Sequence, residues 1–185
     1  MSGSSRLWLV RHAPPLAPDG LCYGRSDLAA DAAATARSAQ TLAATLPRGV
    51  AVWSSPLQRC TALAQALHAA RTDLPWQTDA RLAELDFGQW EGVPWARIDR
   101  RAMDAWLADF ADASPGQSGE SVRRLMARVG AAFADWRASG QDALWITHAG
   151  VIRAARLLHA GLPCPNRAAD WPAEAVAFGE VLVLQ

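Results

Sequence analysis

The chain has 185 residues, 51% of them hydrophobic, with 18 acidic and 18 basic residues and a formal net charge of zero. That length fits one domain with a substantial buried core. The balance of charge points to neither a nucleic-acid nor a membrane surface. Every basic residue is an arginine, so each fixed cation is a guanidinium able to grip phosphate through two N–H groups. Cys22, Cys60 and Cys164 form an odd set without paired spacing, which argues against a disulfide framework and a zinc site. The first residues carry no apolar signal segment, and no run approaches membrane-spanning length, so a reducing cytoplasm is the expected compartment.

In chain order, residues 6–10 read as a buried strand that stops at Arg11-His12. Residues 13–27, with three prolines and two glycines, read as a loop. An alanine-rich helix is expected over 31–46, stopped by Pro47, and a short apolar strand over 50–53. Ser54 or Ser55 is placed to cap the next helix, with Pro56 in its first turn and Cys60, Leu63, Ala64 and Leu67 along one face. Residues 76–78 suit a short strand, and 94–112 one or two amphipathic helices. Val122, Leu125, Met126, Val129, Phe133 and Trp136 then line a long helix with Gly140 beyond its end. Residues 143–147 form a strand, 148–150 a turn and 151–160 a helix. Residues 176–184 give one last strand, or two broken at Gly179. Alternating strands and helices predict a single α/β domain over 1–185 with a mostly parallel sheet. The stretch 91–119 interrupts that alternation and is expected as an insertion over the active edge.

Open parallel sheets bind ligands at the carboxyl ends of their strands. Two strands here end in histidine, at His12 and His148, so two imidazoles can converge on one rim. His12 suits a nucleophile, with one ring nitrogen held by an acceptor and the other free. Arg11 and Arg59 suit a phosphate clamp, since a phosphoryl group in transfer spreads charge over three oxygens. Arg59 also falls in the first turn of a helix, where backbone N–H groups favour anions. Glu84, among Leu85, Phe87 and Trp90, suits a general acid that protonates a leaving alkoxide, with Asp86 as the alternative. Glu91 is expected to cap or orient the segment after it. His68 and His159 lie within helix patterns and read as structural.

These residues, in the segments Leu9-Val10-Arg11-His12, Ser54-Ser55-Pro56-Leu57-Gln58-Arg59, Glu84 to Gly92 and Thr147-His148-Ala149-Gly150, resemble the histidine phosphatase superfamily, the phosphoglycerate mutase-like proteins. The resemblance spans Leu7 to about Leu158. It implies a three-layer α/β/α sandwich and catalysis through a phosphohistidine, with no metal and no organic cofactor. It also implies His12 as nucleophile, Arg11, Arg59 and His148 as the phosphate pocket, and Glu84 as proton donor. The chain departs from the family after His12. Ala13-Pro14-Pro15-Leu16 replaces the usual glycine and Glu-Thr, no asparagine follows, and Ala149 stands where glycine is frequent.

Within the superfamily, Leu21-Cys22-Tyr23-Gly24-Arg25-Ser26-Asp27 is similar to the corresponding loop of alpha-ribazole phosphatases, which act in cobalamin assembly. Trp106, Phe110, Gly119-Glu120-Ser121 and residues 147–153 are similar too. This makes Tyr23, Arg25, Glu120 and Ala149 candidates for the substrate pocket. The reading is a phosphomonoesterase acting on a small phosphorylated metabolite, with no nucleic-acid or membrane partner. A phosphoglycerate mutase and a non-catalytic phospho-ligand binding module are the alternatives. Against a mutase, Leu85-Asp86 stands where the glycolytic enzymes carry a basic residue. Nine tryptophans exceed what a small core needs, so some are free to line a pocket or a homodimer contact.

Overall fold

The computed structural model describes residues 5–185. Strands β1 (Leu7–Arg11), β2 (Ala51–Ser54), β3 (Trp76–Thr78), β4 (Ala143–Thr147) and β5 (Val181–Leu184) form one sheet in the order β3-β2-β4-β1-β5. The first four are mutually parallel, and β5 joins β1 antiparallel at the edge. Central parallel strands are covered on both faces, so β1 and β4 are apolar at nearly every position.

The period-two alternation of those strands divides the core. Trp8, Val10, Leu144 and Ile146 pack with Ala39 and Leu42 of α1 (Ala32–Thr45) and Leu63 and Leu67 of α2 (Gln58–Ala70). Leu7, Leu9, Ala143 and Trp145 pack with Val129 and Phe133 of α4 (Val122–Ser139) and Val151 and Ile152 of α5 (Ala149–His159). The result is an α/β/α three-layer arrangement. The helix that follows β1 covers one face and the helix that follows the neighbouring β4 covers the other. A crevice opens where such connections diverge.

Local signals explain most boundaries. The Asp31 carboxylate accepts from Ala34 N at the start of α1, and the Ser121 hydroxyl from Arg124 N at the start of α4. Gly140 ends α4 in the left-handed conformation at φ 61°. Two expectations need correction. Neither Ser54 nor Ser55 caps α2, and Pro56 precedes its first turn: the helix starts at Gln58, and Asp27, from a distant loop, accepts from Gln58 N at 2.7 Å. The last strand covers only Val181–Leu184, with residues 176–180 a loop beside the rim. Between 94 and 112 there is one α-helix, α3 (Arg100–Ala108), preceded by a 3₁₀ turn at Trp95–Arg97.

Candidate active site

Backbone hydrogen bonds continue past the strand ends. His12 N donates to Thr147 O at 3.1 Å and Ser55 N to Ile146 O at 2.9 Å, so β1, β4 and β2 deliver His12, His148 and Ser55 side by side. The two imidazole centroids lie 5.0 Å apart.

His12 is buried, and its Nδ1–H donates to the carbonyl of its own neighbour Ala13 at 2.7 Å. Its Nε2 accepts from Arg59 Nε at 3.2 Å. Burial, with the Arg59 and Arg11 charges adding to it, pulls the ring down to about 3 against the opposing pull of the Ala13 carbonyl. The ring is therefore neutral near pH 7, with its lone pair on Nε2 facing a guanidinium.

Arg59 is buried although charged. Its Nη1 donates to Ser26 O at 2.6 Å and its Nη2 to Gly24 O at 2.5 Å, and its guanidinium lies 5.5 Å from the centroid of Tyr23. The loop that supplies these carbonyls is held from its other side by Glu91. That carboxylate accepts from the backbone N–H groups of Gly24, Arg25, Ser26 and Phe87, and from the Ser26 hydroxyl. Burial opposes its ionisation, but these donors outweigh it and hold Glu91 below the usual carboxylate range. A Cβ at Gly24 would overlap Leu85 O, which is why the loop carries glycine there. Glu91 thus orients the earlier loop 24–26, in contrast to the expectation that it serves the following segment. We expect Glu91→Gln to lower kcat/KM for p-nitrophenyl phosphate by about 10². An amide places two donors among donors, which loosens the loop and Arg59 with it. Steady-state kinetics on a variant with an unchanged circular dichroism spectrum checks this.

Arg11 donates from Nη1 to Val176 O at 2.6 Å and lies 3.8 Å over the Phe178 ring, while its buried Nε has no partner among the described residues. Phe178 stands 5.6 Å from His12 and is 39% exposed, so it forms the outer wall of the rim. No sequence signal singled it out, because it meets His12 only through the β1–β5 pairing.

His148 is buried at the start of α5. Its Nε2 lies 2.8 Å from Ser55 Oγ, which already accepts from Leu57 N at 3.3 Å. Ser55 Oγ still has its own proton, which it can donate to His148 Nε2. In that arrangement the imidazole proton sits on Nδ1, a buried nitrogen without a partner among the described residues. Burial, joined by His12 and the arginines, lowers the ring well below its ordinary range. It is a neutral hydrogen-bond donor, not a cation.

Glu84 sits at the start of α5: its Oε2 accepts from Gly150 N at 3.1 Å and its Oε1 from Leu85 N at 3.0 Å. A Cβ at Gly150 would overlap Glu84 Oε1, so glycine makes room for the carboxyl. Arg128, which sequence reasoning did not single out, supports this segment from behind. It donates to the carbonyls of Arg81 and Ala83 at 2.7 Å and of Glu84 at 3.1 Å.

Of the candidate pocket residues, Ala149 borders the cavity beside Glu84, and Tyr23 borders a second cavity with Phe178. Arg25 contributes a backbone N–H to Glu91. Glu120 is engaged elsewhere, with both oxygens 2.7 Å from Arg128. From the 91–119 segment, Trp106 and Phe110 reach the Glu84 cavity.

Two buried neutral histidines have a stability signature. The unfolded chain protonates them at their ordinary 6.5, whereas folded His12 does so at about 3. Between those values the unfolded state binds more protons, so stability falls as pH drops from 6.5 toward 3, by up to about 1.4 kcal/mol per pH unit per histidine. Above 6.5 both states are neutral and the contribution is constant. Urea unfolding at pH 4.5 and 7 should show this slope, and His12→Asn should make it shallower.

No group of three or more His, Cys, Asp or Glu among the described residues could hold a metal ion, and Cys22, Cys60 and Cys164 are free. What converges on the rim is two neutral imidazoles, two guanidiniums and, at its side, a carboxyl. Fold and site together define an α/β protein with a cluster of histidines and arginines at the ends of its parallel strands.

Comparison with known proteins specifies the class further. The family model of the histidine phosphatase superfamily (branch 1) matches residues 7–171, and the chain belongs to that superfamily. A glucosyl-3-phosphoglycerate phosphatase of Mycolicibacterium vanbaalenii is 32% identical over 157 residues, covering 80% of this chain and 66% of that protein. The chain thus spans slightly less than two thirds of the length of that curated relative. A solved mycobacterial glucosyl-3-phosphoglycerate phosphatase with inorganic phosphate superposes with TM-score 0.79 at 25% identity, over 98% of this chain and 90% of the other. An Escherichia coli protein provisionally assigned as an alpha-ribazole-5'-P phosphatase gives TM-score 0.74 at 28% identity, over 87% of this chain and 82% of its own. Among the described residues, no helix is long and apolar enough to cross a membrane.

Proposed function

We propose that the protein is a phosphomonoesterase that acts on a small phosphorylated metabolite through a phosphohistidine on His12. The observation that carries this reading is the state of His12: neutral, with Nδ1–H tied to Ala13 O and the Nε2 lone pair turned to Arg59. A phosphoryl group entering the rim takes over the Arg59 Nε–H from His12 Nε2 and meets the unpartnered donors Arg11 Nε and His148 Nδ1. Nε2 attacks phosphorus in line, the P–O ester bond breaks, and Glu84 gives its proton to the departing oxygen. Glu84, now a carboxylate, takes a proton from water, the water oxygen attacks the phosphohistidine, and the P–N bond breaks. Inorganic phosphate and neutral His12 result. Neither step calls on a metal or a cofactor.

The first candidate substrate is alpha-ribazole 5'-phosphate, supported by the loop 21–27 and by the similarity to the Escherichia coli protein. Glucosyl-3-phosphoglycerate is the second, supported by the mycobacterial relatives. Phosphate release from both, and from 3-phosphoglycerate, measured in EDTA, tests the reading. Release from one ester well above the others identifies the substrate. Return of the phosphoryl group to phosphoglycerate instead of water would make the protein a mutase, and phosphate binding without turnover of any ester would make it a binding module.

A further inference from the structure

Beside Glu84 lies a cavity of about 140 Å³ whose walls include Phe87, Trp106, Phe110 and Trp171 with aliphatic neighbours, and Arg153. The rings form one connected set. Centroids of Trp106 and Phe110 are 5.4 Å apart, of Phe110 and Trp171 5.9 Å, and of Phe87 and Trp106 6.3 Å. Packing alone does not fill the space between them. The volume is close to that of a cavity that accepts one benzene ring.

Two side chains of the lining carry a buried donor with no partner among the described residues: the indole Nε1–H of Trp106 and the Nε–H of Arg153. Buried polar groups in folded proteins are nearly always paired, and orphaned ones mark a site that something else completes. Arg153 is partly committed through Nη2 to Glu174 O at 3.1 Å, which leaves Nε as the free donor. The cavity therefore asks for a flat apolar ring that carries a hydrogen-bond acceptor.

Its position says which part of a substrate that ring belongs to. Glu84, which delivers the proton to the departing oxygen, is itself part of the cavity lining. The leaving alcohol must therefore extend into it. The cavity beside Tyr23 and Phe178 does not include Glu84 in its lining. We infer that residues Phe87, Trp106, Phe110, Trp171 and Arg153 form a leaving-group subsite for an alcohol bearing a heteroaromatic ring. This inference rests on the phosphomonoesterase reading. It favours a ring-bearing ester over a polyhydroxylated sugar acid, whose hydroxyls would meet aromatic walls.

The test compares kcat/KM for alkyl phosphates of similar leaving-group acidity: benzyl, 3-phenylpropyl and 3-(pyridin-3-yl)propyl phosphate against glycerol 1-phosphate. The full chain should prefer at least one ring-bearing ester over glycerol 1-phosphate by about tenfold or more, and the pyridyl ester over its phenyl counterpart. Trp106→Ala should collapse the preference for a ring. Trp106→Phe, which keeps a ring but removes the N–H, should retain that preference and weaken the one for pyridine over phenyl. It also carries the test if the alanine variant fails to fold. Equal kcat/KM for ring-bearing and glycerol esters, or a ring preference unchanged in a folded Trp106→Ala, overturns the subsite. Turnover of glycerol 1-phosphate without ring preference would sink this inference alone. Failure to hydrolyse any ester would sink the phosphomonoesterase reading beneath it.

Discussion

His12→Ala should abolish phosphate release, lowering kcat/KM by at least about 10⁴ on every ester tested. The size follows from the chemistry. Without the imidazole no phosphoenzyme forms, and a water in its place lacks a nitrogen lone pair held at the strand end by Ala13 O. What remains is the anion clamp, so inorganic phosphate should still bind. Loss of the ring also frees Arg59 Nε from its bond to Nε2, a second reason to expect retained affinity. Enzyme assay and phosphate titration of the same folded preparation separate the two effects. Turnover within tenfold of the parent chain would remove His12 from the reaction.

Glu84→Gln has the second largest expected effect. The amide can still accept from Gly150 N or Leu85 N, so the fold around α5 should hold. It has no proton to give an alkoxide, and alkyl phosphates should slow by about 10² to 10⁴. p-Nitrophenyl phosphate, whose leaving group departs without a proton, should still phosphorylate His12. Its phosphoenzyme then lacks the base for water. A stoppped-flow trace should show a burst of one nitrophenolate per site followed by slow turnover. Equal loss on both ester types with no burst would assign Glu84 a purely structural role.

His12, Arg59 and His148, among the candidate site residues, were legible because each lies at the end of a strand or the start of a helix in a short segment. Leu9-Val10-Arg11-His12 and Trp145-Ile146-Thr147-His148 announce buried strands that stop at a histidine, and parallel pairing of β1 with β4 brings those ends together. The long helix with Ser121 before it and Gly140 after it was equally plain, since cap and periodicity agree. What sequence reasoning missed depends on contacts between distant segments. Asp27 caps α2 from 31 residues away, so nothing local to Ser54-Ser55-Pro56 could reveal the helix start. Glu91 reaches back 65 to 67 residues to Ser26, Arg25 and Gly24, although its neighbours suggested a role further along the chain. Glu120 is a partner of Arg128 eight residues on, just over two helical turns, and its position after Gly119 gave no sign of that. Phe178 reaches the rim only because β5 runs antiparallel beside β1.

The central claim is that a phosphoryl group passes through His12. Rapid acid-free quench of the enzyme with ³²P-labelled substrate, followed by peptide mapping, tests it most directly. The account predicts an acid-labile, alkali-stable label on His12 that forms and decays fast enough to carry the steady-state rate, and that accumulates in Glu84→Gln. Phosphate release with no label, or with the label on another residue, would contradict it.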